Sequence, residues 1–279
     1  MIEIKNLDFS YKKTPVFSNI NLSFPQGAIY GLLGENGVGK TTLLKIICGL
    51  QRPNEGSCTV DGMTSHDRLP AMLQRIVFLP DEVTLPDNAT PQKYVDELSP
   101  FYSTFSQGTF LHLMQELEVE PDRKFREMSF GQQKKSLIAA SLSLGTDYVL
   151  LDEPTNGLDI PSKAQFRSIL SKIADEGKTI IISTHQVRDV ELLLDHLCII
   201  EPNRVLLDAS MATVSDRLRF LDVTPGQAPA EVIYSEQSLQ GYSVIAPRHE
   251  DEEETPVNLE LLFNGLLSNA EGIQREVKR

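Results

Sequence analysis

The sequence predicts an α/β protein with a mostly parallel core sheet, an antiparallel β subdomain, a helical insertion and a small α+β C-terminal extension. Short apolar runs typical of buried strands alternate with helical stretches, which is the pattern of a parallel sheet. A glycine-rich cluster lies between one such strand and a helix. The chain has 279 residues, of which 41% are hydrophobic, and this is sufficient for a large core.

The first 33 residues predict an antiparallel pair of strands and the first strand of the core. Residues 2–11 and 16–24 alternate apolar and polar side chains in places, and a polar turn near Lys12–Pro15 joins them. Residues 28–33 form a short apolar run with few charges, as expected of a strand buried on both faces. The glycine cluster Gly34–Gly39 follows this strand directly.

The central part of the chain predicts the remaining core elements and a helical insertion. Residues 90–145 lack strand-like runs and show helical spacing, as at Leu111, Met114 and Leu117, which predicts the insertion. The other predicted elements are a helix at 40–50, a turn and strand at 52–62, strands at 75–79, 148–153 and 179–184, and a helix at about 161–175.

The last 70 residues predict a hairpin around Gln240–Gly241 and then a helix that begins near Thr255–Pro256. We therefore divide the chain into a core domain, residues 1–210, and a C-terminal extension, residues 211–279. We expect the apolar face of the helix to cover the hairpin of the chain itself, and a partner surface is the alternative. That face consists of Leu259, Leu262, Phe263, Leu266 and Leu267.

Composition excludes several classes of protein. With 26 Lys and Arg against 39 Asp and Glu, the net charge is −13, which is unfavourable for binding nucleic acid or an anionic membrane surface by charge. The sequence has no apolar stretch of the roughly 18 to 20 residues that a membrane span needs, and its N-terminus lacks the apolar region of a secretion signal.

The cysteines and histidines give no sign of a metal site. Cys48, Cys58 and Cys198 are odd in number and lack C-x-x-C spacing, so we expect them to be small apolar residues in a reducing compartment. No two histidines show H-x-x-x-H spacing.

Residues 34–41 fit the pattern G-x-x-x-x-G-K-[ST], and we call them the phosphate loop. Its glycines let consecutive backbone N–H groups point at phosphate oxygens, Lys40 reaches the β- and γ-phosphates, and the Thr41 hydroxyl can ligate Mg²⁺. A dinucleotide site fits less well, because G-x-G-x-x-G is not matched, and a turn without ligand is the other alternative. The expected nucleotide contacts here are Gly34, Glu35, Asn36, Gly37, Val38, Gly39, Lys40, Thr41 and Thr42.

Polar side chains follow two of the predicted parallel strands at their carboxyl ends, where α/β proteins bind ligands. Asp152 is placed to complete the Mg²⁺ sphere, and Glu153 is placed to orient or deprotonate an attacking water. His185 follows the next strand, which favours a contact with the γ-phosphate. We therefore predict Lys40, Glu153 and His185 as catalytic residues. Acids that merely cap a strand end, and a structural histidine, are the alternatives.

Residues 128–133, Met-Ser-Phe-Gly-Gln-Gln, resemble the signature L-S-G-G-Q of ATP-binding cassette (ABC) ATPases, and we call them the signature segment. The order of phosphate loop, helical insertion, signature, carboxylate strand, Gly157–Asp159 and His185 is also similar to that family. Tyr11 lies where the family places an aromatic ring that stacks on adenine. The resemblance covers about residues 1–210.

The resemblance implies that two ATPase subunits, identical or different, pair head to tail around ATP. Ser129, Gly131 and Gln132 of one copy would then face the ATP held by Lys40 and Thr41 of the other. Two positions depart from the family pattern. Phe130 replaces a signature glycine, and Asp81 stands where the family has a glutamine. A carboxylate at position 81 can still meet Mg²⁺ or its water, so we include Asp81 with Thr41 and Asp152 as expected metal-contacting residues.

Residues 257–263 resemble the tail of ATPases that serve ABC-2-type exporters. The resemblance implies an ATP-hydrolysing subunit, with ATP and Mg²⁺ as cofactors, that powers a separate membrane permease and acts in export at the cytoplasmic face. Other functions considered are a soluble ABC mechanoenzyme, a small-molecule kinase and a regulator that does not hydrolyse nucleotide.

Overall fold

The computed structural model describes residues 1–224, 229–238, 241–249 and 251–278. Its first elements are β1 (Ile2–Tyr11), β2 (Thr14–Phe24), β3 (Ile29–Leu33), α1 (Lys40–Ile47), β4 (Glu55–Val60), β5 (Met63–Thr64), α2 (Pro70–Leu73), β6 (Ile76–Leu79), α3 (Pro91–Leu98), α4 (Gln107–Glu116) and α5 (Phe130–Ser143). The rest are β7 (Tyr148–Asp152), α6 (Ile160–Ala174), β8 (Thr179–Thr184), β9 (His196–Glu201), β10 (Arg204–Ser210), α7 (Met211–Arg217), β11 (Leu218–Val223), β12 (Tyr234–Ser238), β13 (Gly241–Pro247) and α8 (Leu259–Val277).

The central sheet has the strand order β10-β9-β3-β8-β7-β6 within the described residues. All neighbouring strands are parallel except β9 and β10. Every residue of β3, β7 and β8 is buried, because helices or a second sheet cover both faces. The prediction of a mostly parallel core sheet is confirmed.

The N-terminal strands form an antiparallel sheet in the order β2-β1-β4-β5. This sheet and α1 enclose one hydrophobic core against the face of the central sheet that carries Leu32, Leu150 and Ile181. The neighbouring residues of the same strands, such as Leu33 and Leu151, point to a second core on the opposite face. The predicted antiparallel β subdomain is therefore present.

The predicted insertion consists of α3, α4 and α5, which pack in the second core. Each helix begins with a side-chain cap, from Thr90, Ser106 and Ser129 respectively. The prediction of a helical insertion is confirmed, although Leu111 lies on the outer face of α4 and is 44% exposed. The buried face of α4 instead carries Phe110, Leu113 and Met114.

The C-terminal extension is a small sheet, in the order β11-β13-β12, with α8 packed on it. The predicted hairpin is confirmed by the antiparallel pairing of β12 with β13, although Gln240 in its turn lies outside the described residues. The proposed domain boundary stays a prediction, and it coincides with Ser210, which ends β10 and caps α7.

The predicted start of α8 at Thr255–Pro256 is wrong. The helix begins at Leu259, because the Asn258 side chain accepts a hydrogen bond from the backbone N–H of Leu261 at 3.0 Å. The predicted apolar face was also partly wrong. At 3.6 residues per turn, the buried arc includes Leu261, Leu262 and Leu266, so that Leu267 falls outside it and is 42% exposed.

The prediction that α8 covers the chain's own hairpin is confirmed by its packing. Leu262 and Leu266 share a hydrophobic core with Ile245 of β13. Gly265 lies so close that an added Cβ would stand 2.9 Å from the Ile245 Cδ1 atom. The C-terminal helix is therefore joined tightly to the sheet of the extension.

All three cysteines are buried and free, as predicted. Burial raises the pKa of Cys48 to about 11 and that of Cys58 to about 12. Each thiol therefore packs as a small apolar group. Among the described residues, no helix has the length and apolar character required to cross a membrane.

The packing of α8 predicts unequal effects of two leucine substitutions. Leu262→Ala removes a side chain that is fully buried, and we expect it to lower the free energy of unfolding by about 2–5 kcal/mol. Leu267→Ala on the exposed face should change it by no more than about 0.5 kcal/mol. Urea denaturation of both variants measures the difference, and equal losses would contradict the observed orientation of the helix.

Candidate functional site

The phosphate loop connects β3 to α1, and its glycines allow the tight course of the backbone. Gly37 and Gly39 have φ angles of +85° and +111°, in the left-handed region that favours glycine. A Cβ added to Gly39 would stand 2.7 Å from side-chain atoms of Val16 and Phe17. Among the residues that the structure describes, no side chain caps the start of α1 at Lys40, so its first N–H groups remain available to an anion.

Lys40 is buried at the centre of this loop. Its ammonium donates to the carbonyl oxygens of Gly34 at 2.8 Å and Glu35 at 3.1 Å, and it lies 3.8 Å from the Glu153 carboxylate. Burial lowers the pKa of Lys40, and the charges of Glu153 and Asp152 oppose that shift. The loop therefore surrounds an ammonium group that is largely shielded from water. Such a group forms strong charge-assisted hydrogen bonds with phosphate oxygens, which suits a triphosphate.

The Thr41 hydroxyl donates to the Asp152 carboxylate at 2.6 Å. The Ser183 hydroxyl donates to the other carboxylate oxygen, and Asp152 is buried. Thr41 and Asp152 together offer hard oxygen ligands side by side, the donor type that Mg²⁺ prefers, and Mg²⁺ commonly keeps water and phosphate ligands as well. These two residues fit a magnesium ion bound with nucleotide.

Glu153 follows β7 with φ of +44°, an unusual conformation for a residue with a side chain. Its backbone N–H donates to the Ser183 carbonyl at 2.9 Å, which fixes this turn on β8. The carboxylate accepts from the Thr184 hydroxyl at 3.0 Å and the His185 backbone N–H at 3.1 Å. It also lies 2.8 Å from the His185 Nδ1 atom, which must carry a proton because a carboxylate only accepts.

Tyr11 lies at the end of β1 beside the start of α1. Its hydroxyl is 3.3 Å from the Thr42 hydroxyl, and its ring meets Phe9 edge to face at a centroid distance of 4.9 Å. The ring is about half exposed. This arrangement leaves an aromatic surface free next to the phosphate loop, which is the property required for stacking on a base.

The signature segment forms the start of α5. The Ser129 hydroxyl accepts from the Gln132 backbone N–H at 3.3 Å, and the Gln132 side chain accepts from the Ser129 backbone N–H at 3.0 Å. Gly131 packs closely on the Gly157 carbonyl, and the exposed Phe130 ring covers Gly157. In the described part of the chain, no hydrogen bond joins Ser129, Gly131 or Gln132 to the phosphate loop.

Asp81 lies in the loop after β6, where it contacts two residues that the sequence analysis did not identify. The Lys134 ammonium donates to the Asp81 carbonyl at 2.9 Å and to its carboxylate at 3.3 Å. The Asn156 side-chain amide lies 3.2 Å from both carboxylate oxygens. The spacing of Lys134 from Leu137 and Ile138 on one buried helix face was a signal for a buried cation with a partner.

Phe263 of α8 is a further residue that the sequence analysis did not place near the site. It lines a cavity of about 400 Å³ with residues 34–36 of the phosphate loop, His185 and Val187. Arg188 forms an ion pair with Glu260 of α8. No local sequence pattern could predict this position of α8, because the contact joins residues from opposite ends of the chain.

Comparison with known proteins identifies similar sequences. The model of the ABC transporter family matches residues 17–156. The ABC transporter ATP-binding protein YtrB of Bacillus subtilis is 27% identical over 94% of this chain and 97% of its own length. The lantibiotic transport ATP-binding protein SrtF of Streptococcus pyogenes is 32% identical over 75% of this chain and 90% of its own.

Solved structures share the fold. A dimeric structure of a post-hydrolysis state of the ATP-binding cassette MJ0796, bound to ADP and Pi, has a TM-score of 0.68. It is 25% identical and covers 76% of this chain and 99% of its own. An ATP-binding subunit of an ABC transporter has a TM-score of 0.70 at 22% identity, covering 77% of this chain and 91% of its own.

The position of Lys40 predicts a loss of triphosphate affinity in Lys40→Ala. Removal of a charge-assisted hydrogen bond costs about 1.5–3 kcal/mol, so ATP should bind roughly 10- to 100-fold more weakly. Titration with a fluorescent ATP analogue measures this change. Lys45→Ala, in the last turn of the same helix, is the matched control, and equal affinity of both variants would refute the assignment of the loop.

Proposed function

The chain belongs to the ABC transporter family, and on this basis we propose that it is the ATP-binding and ATP-hydrolysing subunit of a membrane transporter. One observation in the site supports hydrolysis most directly. Glu153 is buried and held by hydrogen bonds from Thr184 and His185, 3.8 Å from the Lys40 ammonium. A carboxylate fixed beside a phosphate-binding cation is suited to act on a water that attacks the γ-phosphate.

In this mechanism, the phosphate loop and Lys40 hold the triphosphate, and Glu153 accepts a proton from the attacking water. The new bond joins the water oxygen to the γ-phosphorus as the bond to the β–γ bridging oxygen breaks, which gives ADP and phosphate. His185 orients Glu153 through Nδ1, and we expect its ring to contact the γ-phosphate. Thr41 and Asp152 would hold Mg²⁺, which when bound neutralises charge on the phosphates.

We propose that a second ATPase subunit completes the site with its signature segment. The N-terminus of α5 carries a partial positive charge that favours a γ-phosphate. The Ser129 hydroxyl accepts within its own chain but still has a proton to donate. Dimeric cassette MJ0796 with ADP and Pi is similar in fold, which supports this arrangement.

We further propose that the partner is a separate permease and that the transport is export. Relatives are named for bacitracin transport, lantibiotic transport and Nod factor export. A groove of about 510 Å³ between the end of α1, β6 and the end of α3 provides a docking surface for a permease helix. Its lining includes Leu50 and Phe101, which are exposed, and Phe78, which lies three residues before Asp81. The complex would place this chain at the cytoplasmic face of the membrane.

Glu153→Gln tests the proposed hydrolysis. Loss of the general base should slow ATP turnover by about 10²-fold or more while ATP still binds. Retained ATP should hold two copies together, so gel filtration with ATP and Mg²⁺ should show a dimer. Glu176→Gln, at an exposed residue after α6, is the control, and full turnover in Glu153→Gln would refute the assignment.

Addition of Ser129→Arg to the Glu153→Gln variant tests the composite site. A bulky cation at the start of α5 should abolish the dimer without weakening ATP binding to a single copy. Persistence of the dimer would show that the signature segment does not face the second copy. Loss of binding to the single copy would show that Ser129 acts within its own chain.

Phe101→Asp tests the permease groove. Phe101 is 68% exposed, so the substitution should preserve folding and ATP binding but remove apolar contact with a partner. A tagged chain extracted with its native membranes should then recover much less of a polytopic membrane protein, identified by mass spectrometry. Leu111→Asp, exposed on α4 outside the groove lining, is the control, and equal recovery with both variants would contradict the proposal.

A further inference from the structure

Lys134 is a buried cation that the proposed mechanism does not use. It lies on α5 five residues after Ser129, and only 2% of its surface is exposed. Burial lowers its pKa, and the nearby charge of Asp81 opposes that shift, as do Asp152 and Glu153 more weakly. An ammonium at such a depth requires a partner, because an unpaired buried charge is strongly destabilising.

Asp81 is the partner of Lys134, and it also contacts Asn156. Its two carboxylate oxygens lie 3.2 Å from the Asn156 amide nitrogen, and one of them also accepts from Lys134 at 3.3 Å. The side-chain oxygen Oδ1 of Asn156 in turn accepts from the Gln186 side-chain amide at 3.3 Å. These contacts join α5, the loop after β6, the turn after Glu153 and the loop that carries His185.

The chain of hydrogen bonds continues to the proposed general base. The Gln186 backbone N–H donates to the Thr184 hydroxyl at 2.9 Å, and that hydroxyl donates to the Glu153 carboxylate at 3.0 Å. Lys134 and Glu153 are therefore the two ends of one polar network. Networks of this kind fix the orientation of their members more strongly than isolated hydrogen bonds do.

We propose that Asp81 and Lys134 form a positioning pair for ATP hydrolysis. Their ion pair holds the loop after β6 against α5. Through Asn156 and Gln186, it also sets the position of Glu153. This inference rests on the proposed function. It also explains the carboxylate at position 81, where the family resemblance implies a glutamine, because a neutral side chain there would leave the Lys134 charge unbalanced.

A direct contact of Asp81 with Mg²⁺ is the competing role, and it would require a carboxylate oxygen that is free to bind the ion. Both carboxylate oxygens of Asp81 already have donors in the chain, whereas Thr41 and Asp152 lie side by side. A positioning residue affects turnover together with its partner Lys134. A metal ligand affects the dependence on Mg²⁺ independently of Lys134.

A double-mutant cycle on the full-length chain separates the two roles. We expect Lys134→Met and Asp81→Asn each to lower kcat by about tenfold, the middle of the range for residues in one polar network. The kcat of the double variant should be no lower than that of the less active single variant. KM for ATP should change by less than about twofold, since ground-state binding is not the affected step. The Mg²⁺ concentration for half-maximal activity should stay unchanged.

The exposed ion pair of Lys172 with Glu116, at 2.7 Å, is the matched control. Lys172→Met and Glu116→Gln should leave kcat unchanged. Thermal unfolding separates catalysis from folding, because a merely structural role would move Tm and not kcat. Should Lys134→Met not fold, Lys134→Gln, which keeps a donor to the Asp81 carbonyl, takes its place in the cycle.

Two results would overturn the positioning role. If the fold-losses of kcat in the two single variants multiply in the double variant, the two residues act independently. A higher Mg²⁺ requirement in Asp81→Asn alone would assign Asp81 to the metal. Absence of ATP turnover in the unmodified chain would refute the proposed function itself, and this outcome is distinct from both.

Discussion

The parallel register of β3, β8 and β7 is the constraint on which the site depends. Leu33 pairs with Thr184, and Asp152 pairs with Ser183, so the three strands end at one level. The phosphate loop, the acids and His185 follow these ends directly. Because side chains alternate between faces, a shift of β7 by one residue would point the Asp152 side chain into a hydrophobic core. It would also move the turn at Glu153 away from β8. Burial of both sheet faces by apolar side chains prevents such a slip.

Charge balance in a buried site is the second constraint. Lys40, Lys134, Asp152 and Glu153 are all buried, and each would be costly without a partner. Lys40 is held by loop carbonyls, Asp152 by Thr41 and Ser183, and Glu153 by Thr184 and His185. The polar contacts that stabilise the site therefore also orient the groups that would act on nucleotide.

The fold class, the parallel core and the C-terminal hairpin could be predicted because each depends on local patterns of apolar residues and glycines. The start of α8 was predicted at Thr255–Pro256, because Pro favours the first turn of a helix, but the side-chain cap of Asn258 sets the start at Leu259. Leu267 was misplaced because the sheet under α8 selects which arc is buried. The pair of Lys134 with Asp81 joins residues 53 positions apart, and no periodicity reports such a contact.

The loop after β8 connects these parts of the molecule. On one side Gln186 contacts Asn156, and on the other Arg188 pairs with Glu260 of α8. Glu191 also accepts from the backbone N–H of Leu259, at 3.3 Å. His185 precedes both sets of contacts in this loop, and it lines a cavity with Phe263 of α8 while its Nδ1 atom contacts Glu153. The same loop therefore joins the C-terminal extension to the residues that hold Glu153, through an ion pair and a backbone hydrogen bond on one side and the Asn156 contact on the other.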